Sequence, residues 1–201
     1  MRLGYDLIIL DLELNHPGVD QETIIEIGAV KFLRDGGIHP ETFSTLINHG
    51  GHLQPEIVHL TGITDEEIQD KGGLFPEAMR SFQEWATRET KNVLLAAWGG
   101  DVSCLIQHCK KCNYSFPFRR KSIEIKSVMT VFNAFLEKKV FSDGLMSIMN
   151  AWGVKWDGRY GAKHRARADA FNTAKLLVAL WDFKKEVNEH LKKDLGRLGI
   201  K

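Results

Sequence analysis

Five side chains in this chain are of types that can do chemistry together: Asp11, Glu13, Asp101, His164 and Asp169. Asp11 and Glu13 close the apolar run Tyr5 to Leu10, which reads as a buried strand. Strand alternation puts two acids spaced two apart on one face. Paired carboxylates repel, and a hard divalent cation that prefers oxygen ligands removes that cost. A strand that merely ends in water would serve the same tripeptide. Asp101 follows Trp98-Gly99-Gly100 and opens a helical run, so alone it reads as an N-cap. A carboxylate at the end of a sheet strand also lies where α/β sheets place their sites. His164 and Asp169 stand five apart, which suits a histidine on a loop and an acid one turn into a helix. Ala166, Ala168 and Ala170 let that turn approach the sheet, and Gly158 and Gly161 free the histidine loop. Asp169 on an otherwise apolar-faced helix requires a partner. Four carboxylates can hold two divalent ions about 3.5–4 Å apart, the arrangement used for in-line attack on phosphodiesters. A neutral histidine beside them can take the proton of the attacking water.

The elements that must position these residues follow from the pattern. Thr23 to Leu33 and Glu41 to Ile47 read as strands, antiparallel to the first across short connections. Gln54 to His59 and Thr64 to Gln69 read as short helices, the second opened by a capping box of Thr64 and Glu67. Pro76 to Thr87 has an amphipathic helical pattern. Asn92 to Trp98 is a buried strand, and Asp101 to about Lys111 a helix. Ser122 to Val128 reads as a strand, then Val128 to Glu137 and Asp143 to Trp152 as helices. The last helix starts near Arg165. Clustered strands followed by strand–helix alternation predict an α/β fold with a mixed sheet of about five strands flanked by helices. The chain has no linker-like stretch, so residues 1–201 read as one domain.

Composition excludes other classes. The chain has 201 residues, 43% hydrophobic and 26% charged, ordinary for a globular protein. No apolar run is long enough for a membrane span, and Asp6, Asp11 and Glu13 interrupt the one at the start, unlike a signal peptide. Three cysteines argue against a disulfide framework and for a reducing, cytoplasmic setting. The net charge of +1 hides an asymmetry: residues 1–70 carry 13 Asp+Glu against 3 Lys+Arg, residues 71–201 carry 13 against 24. A basic second part is compatible with a polyanionic partner or with solvated helix faces.

In order along the chain, Leu10-Asp11-Leu12-Glu13, Ile24-Ile25-Glu26-Ile27-Gly28-Ala29-Val30, Leu60-Thr61-Gly62-Ile63-Thr64, Trp98-Gly99-Gly100-Asp101 and the H-x-A-x-x-D set His164, Ala166 and Asp169 resemble the DEDDh exonucleases of the ribonuclease H-like superfamily. The branch most resembled holds the enhanced-RNAi and histone-mRNA 3′ exonucleases and their KapD-like relatives. The resemblance implies a ribonuclease H-like exonuclease fold and 3′→5′ hydrolysis of single-stranded nucleic acid, RNA favoured, to nucleoside 5′-monophosphates. It implies two Mg²⁺ or Mn²⁺ ions per site. Asp11, Glu13 and Asp169 would hold the one that activates water. Asp11 would also touch the second, with Asp101 helping through bound water, and His164 would be the general base. Leu14, Asn15, Leu60 and Ile63 would pack around the terminal nucleotide, with Trp98 a stacking platform or a core residue and Arg165 a phosphate contact. Gly100 stands where many relatives carry an aromatic residue, and Asn15-His16-Pro17 replaces a small residue. Selectivity for a structured RNA would call for a protein partner that the sequence does not identify; no membrane partner is implied. The competing readings are a DNA or short-oligonucleotide exonuclease and a catalytically silent nucleic-acid-binding module. Cys104, His108, Cys109 and Cys112 have one C-x-x-C spacing but no second pair, short of a closed zinc site.

Overall fold

The computed structural model describes residues 3–16, 22–140 and 142–197, with side chains to residue 190. Five strands form one sheet in the order β3-β2-β1-β4-β5. β1 (Asp6–Asn15) pairs antiparallel with β2 (Thr23–Phe32), and β2 antiparallel with β3 (Ile38–Leu46). β4 (Val93–Ala97) and β5 (Ser122–Glu124) add in parallel on the other side of β1. This is the mixed five-stranded sheet expected from the sequence. The helices are α1 (Pro55–Thr61), α2 (Asp65–Lys71), α3 (Phe75–Thr87), α4 (Asp101–Lys111), α5 (Ile125–Phe135), α6 (Leu145–Ala151) and α7 (Ala166–Arg197).

Alternation divides the core. Ile8, Leu10 and Leu12 of β1 pack with Met79 and Phe82 of α3 and Leu105 of α4. Leu7 and Ile9 face the opposite way, toward Ala170 and Ala174 of α7 and Met129 of α5. Asp11 and Glu13 continue this second series, so the acids stand on the α7 face. A third cluster, with Ile25, Leu53, Ile63 and Ile68, seats α1 and α2. No helix among the described residues is long and apolar enough to cross a membrane, although α7 runs for 32 residues.

Several boundaries differ from the sequence pattern. β1 does not end at Leu10. It runs five residues further because β2 pairs with it up to Asn15–Thr23, so Asp11 and Glu13 lie within the strand, before a bulge at Glu13/Leu14. The strand expected over Ser122 to Val128 stops at Glu124. Ile125 and Met129, both fully buried, are spaced i, i+4 and belong to one helix face, so α5 starts three residues earlier than Val128. α6 is trimmed to Leu145–Ala151 by its Gly144 cap. Only half of the Thr64 capping box forms: Thr64 Oγ1 accepts the Glu67 amide, while the Glu67 carboxylate turns to Lys71 and Arg165.

The first turn of α7 rests directly on β2. A Cβ built at Gly28 would lie 2.0 Å from the Arg167 nitrogen and 2.2 Å from the Ala166 carbonyl carbon. Gly28 is paired with Asp11 in register, so this close approach is what brings α7 to the acids. Gly28→Ala must push the turn away; a loss of about 1–3 kcal/mol of stability is expected, read as a lower midpoint in urea unfolding.

Candidate active site

β1 delivers Asp11 and Glu13, and the first turn of α7 delivers Asp169. One carboxylate oxygen from each can be found within 4.8 Å of the others. The three are the single group of potential metal ligands among the described residues. Asp101 stands at the start of α4 and acts electrostatically on both Asp11 and Glu13. It is not the N-cap expected from the sequence. Gly100 holds that position, and Asp101 is the first helical residue; burial raises its carboxyl against the opposing pull of backbone groups of Asp101 itself, Gly99 and Leu12. His164 precedes α7 on the loop, in a left-handed conformation at φ 61°. Its backbone amide donates to Asp169 Oδ2 at 2.9 Å, fixing the acid against the histidine. His164, Asp169 and Asp11 line one cavity of about 300 Å³ with Trp98, Leu145, Met146, Trp156 and Lys163.

The electrostatics are those of an uncompensated acid cluster. Burial, then repulsion from Asp101, Asp169, Glu13 and Glu26, pushes the Asp11 carboxyl well above its usual range. Burial and the neighbouring acids push Glu13 up to about 8, with Arg165 opposing. Burial pushes Asp169 up to about 6, against the opposing pull of the His164 amide and ring and of Lys163. Burial raises Asp101 as well. Oxygen donors crowded together at such cost fit a hard divalent cation, which would relieve the repulsion.

These carboxyls bind protons more tightly folded than unfolded, so their contribution to stability is full below pH about 4 and is lost as pH rises through about 6 and 8. Metal-free protein in EDTA should melt at lower temperature at pH 8.5 than at pH 5.5. Mn²⁺ should raise the melting temperature more at pH 8.5. Equal shifts at both pH values would refute the assignment.

The expected substrate residues divide. Leu60 is 48% exposed and free to meet a ligand. Trp98 packs on the core beside α7 and also lines the cavity. Leu14 is half-buried against the other core cluster. Asn15 and Ile63 are both fully buried. The Asn15 amide is spent as a staple, donating to the His52 carbonyl and accepting the Gln54 amide at 2.9 Å, and Ile63 fills the third core cluster. Arg165 pairs with buried Glu26, Nε to Oε2 at 3.2 Å, its side chain partly exposed. Trp156, Met146 and Lys163 also line the cavity, and no sequence motif marks them. Trp156 belongs to no hydrophobic cluster or ring pair among the described residues, unlike the other four tryptophans. Among the described residues the cysteines join no group of potential metal ligands, and burial pushes Cys104 up to about 12 and Cys109 up to about 11, as thiols rather than thiolates.

A central strand carrying two acids, a helix carrying a third, and a histidine on the loop before that helix define a ribonuclease H-like exonuclease architecture. The chain belongs to the Exonuclease family, whose pattern it matches over residues 8–177. The DNA polymerase III subunit epsilon of Aquifex aeolicus (strain VF5) is 30% identical over 182 residues, covering 87% of this chain and 81% of that protein. The PolC-type DNA polymerase III of Bacillus subtilis (strain 168) is 27% identical over 181 residues; the match takes in 86% of this chain but only 11% of the polymerase. Among solved structures, the nuclease domain of 3′hExo, a DEDDh family member bound to rAMP, superposes with a TM-score of 0.75 at 21% identity, covering 90% of this chain and 94% of that one. Cell-death related nuclease 4 gives 0.77 at 19% identity, covering 89% and 64%. At these identities the structural likeness speaks for the fold.

Proposed function

We propose that the protein is a metal-dependent 3′→5′ exonuclease that shortens single-stranded nucleic acid, RNA in preference, releasing nucleoside 5′-monophosphates. The observation that carries this reading is the Asp11–Glu13–Asp169 cluster, two of whose acids, Asp11 and Asp169, share one cavity with His164. Asp11, Glu13 and Asp169 would hold one Mg²⁺ or Mn²⁺, and Asp11 with Asp101 a second. Bound there, the ions would polarise the phosphoryl group and offset charge on the leaving oxygen. His164, on the cavity wall, accepts a proton from water at a ring nitrogen as the water attacks phosphorus in line. The bond from phosphorus to the 3′-oxygen of the preceding nucleotide breaks, and the terminal nucleotide leaves with its 5′-phosphate. Leu60, exposed on α1, would meet the terminal nucleoside, while Trp98 and Trp156 on the cavity wall offer aromatic faces on which any base can stack.

The ordered motifs support the enhanced-RNAi and histone-mRNA branch, and with it an RNA substrate. The relation to a DNA polymerase III epsilon subunit favours DNA as the second reading. One digestion separates them. A 5′-labelled single-stranded RNA and its DNA counterpart are incubated with Mg²⁺, Mn²⁺ or EDTA. The expected result is a metal-dependent ladder shortening from the 3′ end, stronger on RNA. A stronger DNA ladder would transfer the proposal to the second reading. Binding without cleavage under any metal would sink both and point to a silent nucleic-acid-binding module.

A further inference from the structure

Asp11 and Glu13 belong to β1, whereas His164 and Asp169 come from the far end of the chain. Something must set the distance between the two pairs, and the structure locates it on β2. Glu26 faces Glu13 in the β1–β2 register and is 1% exposed. Two adjacent glutamates on a buried surface repel each other, and such a pair needs compensation. The Glu26 carboxylate is fully engaged. Oε1 accepts Ser44 Oγ at 3.1 Å and Arg165 Nη2 at 3.3 Å. Oε2 accepts Arg165 Nε at 3.2 Å and the Ala166 amide at 3.0 Å. Ala166 is the first residue of α7, so one of the helix's unpaired N-terminal donors is taken by an acid anchored in the sheet. Two residues along the same strand face, Gly28 lets the backbone of that turn close on β2. Arg165 reaches on to Glu67 of α2 at 3.7 Å, tying a third element to the junction.

We propose that Glu26 is a positioning residue for the hydrolysis: through Arg165 and the Ala166 amide it holds the first turn of α7 at the spacing at which His164 and Asp169 meet Asp11 and Glu13. It touches neither substrate nor ion, since its oxygens are filled and it lies outside the ligand group. The proposal rests on the exonuclease reading for its catalytic consequence, but its effect on the cluster can be measured without turnover.

The test compares wild type, Glu26→Gln, Arg165→Gln and the double variant. Each is assayed for melting temperature, for the Mn²⁺ concentration giving half of the thermal shift, and for kcat and KM on a single-stranded oligonucleotide. Glu26→Gln can still accept the Ala166 amide but cannot hold Arg165 by charge. It should lower kcat about 10- to 100-fold and raise the half-saturating Mn²⁺ about tenfold, the range typical for groups that orient metal ligands, with KM within twofold. The double variant should lose no more than the worse single one, because both act through one contact. A lower melting temperature with unchanged kcat and Mn²⁺ saturation would reduce Glu26 to a structural role and overturn the proposal. A raised KM with unchanged kcat would make it a substrate contact and overturn it as well. If Glu26→Gln does not fold, Arg165→Gln alone must show the same shift in Mn²⁺ saturation and kcat, and failure to do so refutes the idea. Wild-type protein that binds Mn²⁺ but cleaves no oligonucleotide would sink the exonuclease reading, leaving the Mn²⁺ titration to judge Glu26.

Discussion

Asp11→Asn is expected to abolish hydrolysis while making the metal-free protein more stable. Asp11 is the residue that every other acid of the site acts upon: Asp101, Asp169, Glu13 and Glu26 all raise its pKa. It is also the one acid assigned to both ions. Charge stabilisation by a bound metal is worth several kcal/mol in a transition state, and each 1.4 kcal/mol is about tenfold in rate, so a loss of about 10³-fold or more follows. Removing one charge from a repelling cluster works the other way on the fold. At pH 8.5 in EDTA the variant should melt above wild type, and adding Mn²⁺ should move it little. Active sites commonly trade stability for function in this sense. Full activity in pure Asp11→Asn protein would show the assignment to be wrong. An unchanged Mn²⁺ shift would show that the cluster is not the metal site.

The second large effect is expected at His164. General-base catalysis is typically worth about 10²–10⁴-fold, and His164→Ala should lose that much in kcat. The backbone complicates alanine, because His164 has φ 61° and alanine is strained there. His164→Asn is the cleaner variant, since asparagine tolerates the left-handed region and keeps the amide that donates to Asp169. With Asp11, Glu13 and Asp169 intact, the Mn²⁺ thermal shift should match wild type. Added imidazole should restore part of the rate to His164→Ala by supplying the missing proton acceptor. A variant that keeps its rate would remove His164 from the chemistry. A variant that loses its Mn²⁺ shift would make the histidine part of the metal site instead.

Much of the site was legible in the sequence because it rests on local rules. Period-2 alternation alone put Asp11 and Glu13 on one face, and five-residue spacing alone separated a loop histidine from a helical acid. The order of the strands and helices, and a mixed sheet, followed from apolar runs and their turn residues. Other features were decided between segments remote in sequence. β1 extends to Asn15 because β2 is there to pair with it, and Ile125 joins a helix because the buried surface it shares with Met129 is helical. Asn15, Ile63 and Arg165 stand beside the motifs in sequence, yet their partners, Gln54, the third core cluster and Glu26, come from packing. The Arg165–Glu26 contact joins residues 139 apart, and no local pattern encodes it. The types and order of the candidate catalytic groups were thus written in the sequence, whereas their spacing was decided by the tertiary structure, because the hydrogen bonds and close packing that set distances form only when β1, β2 and α7 meet.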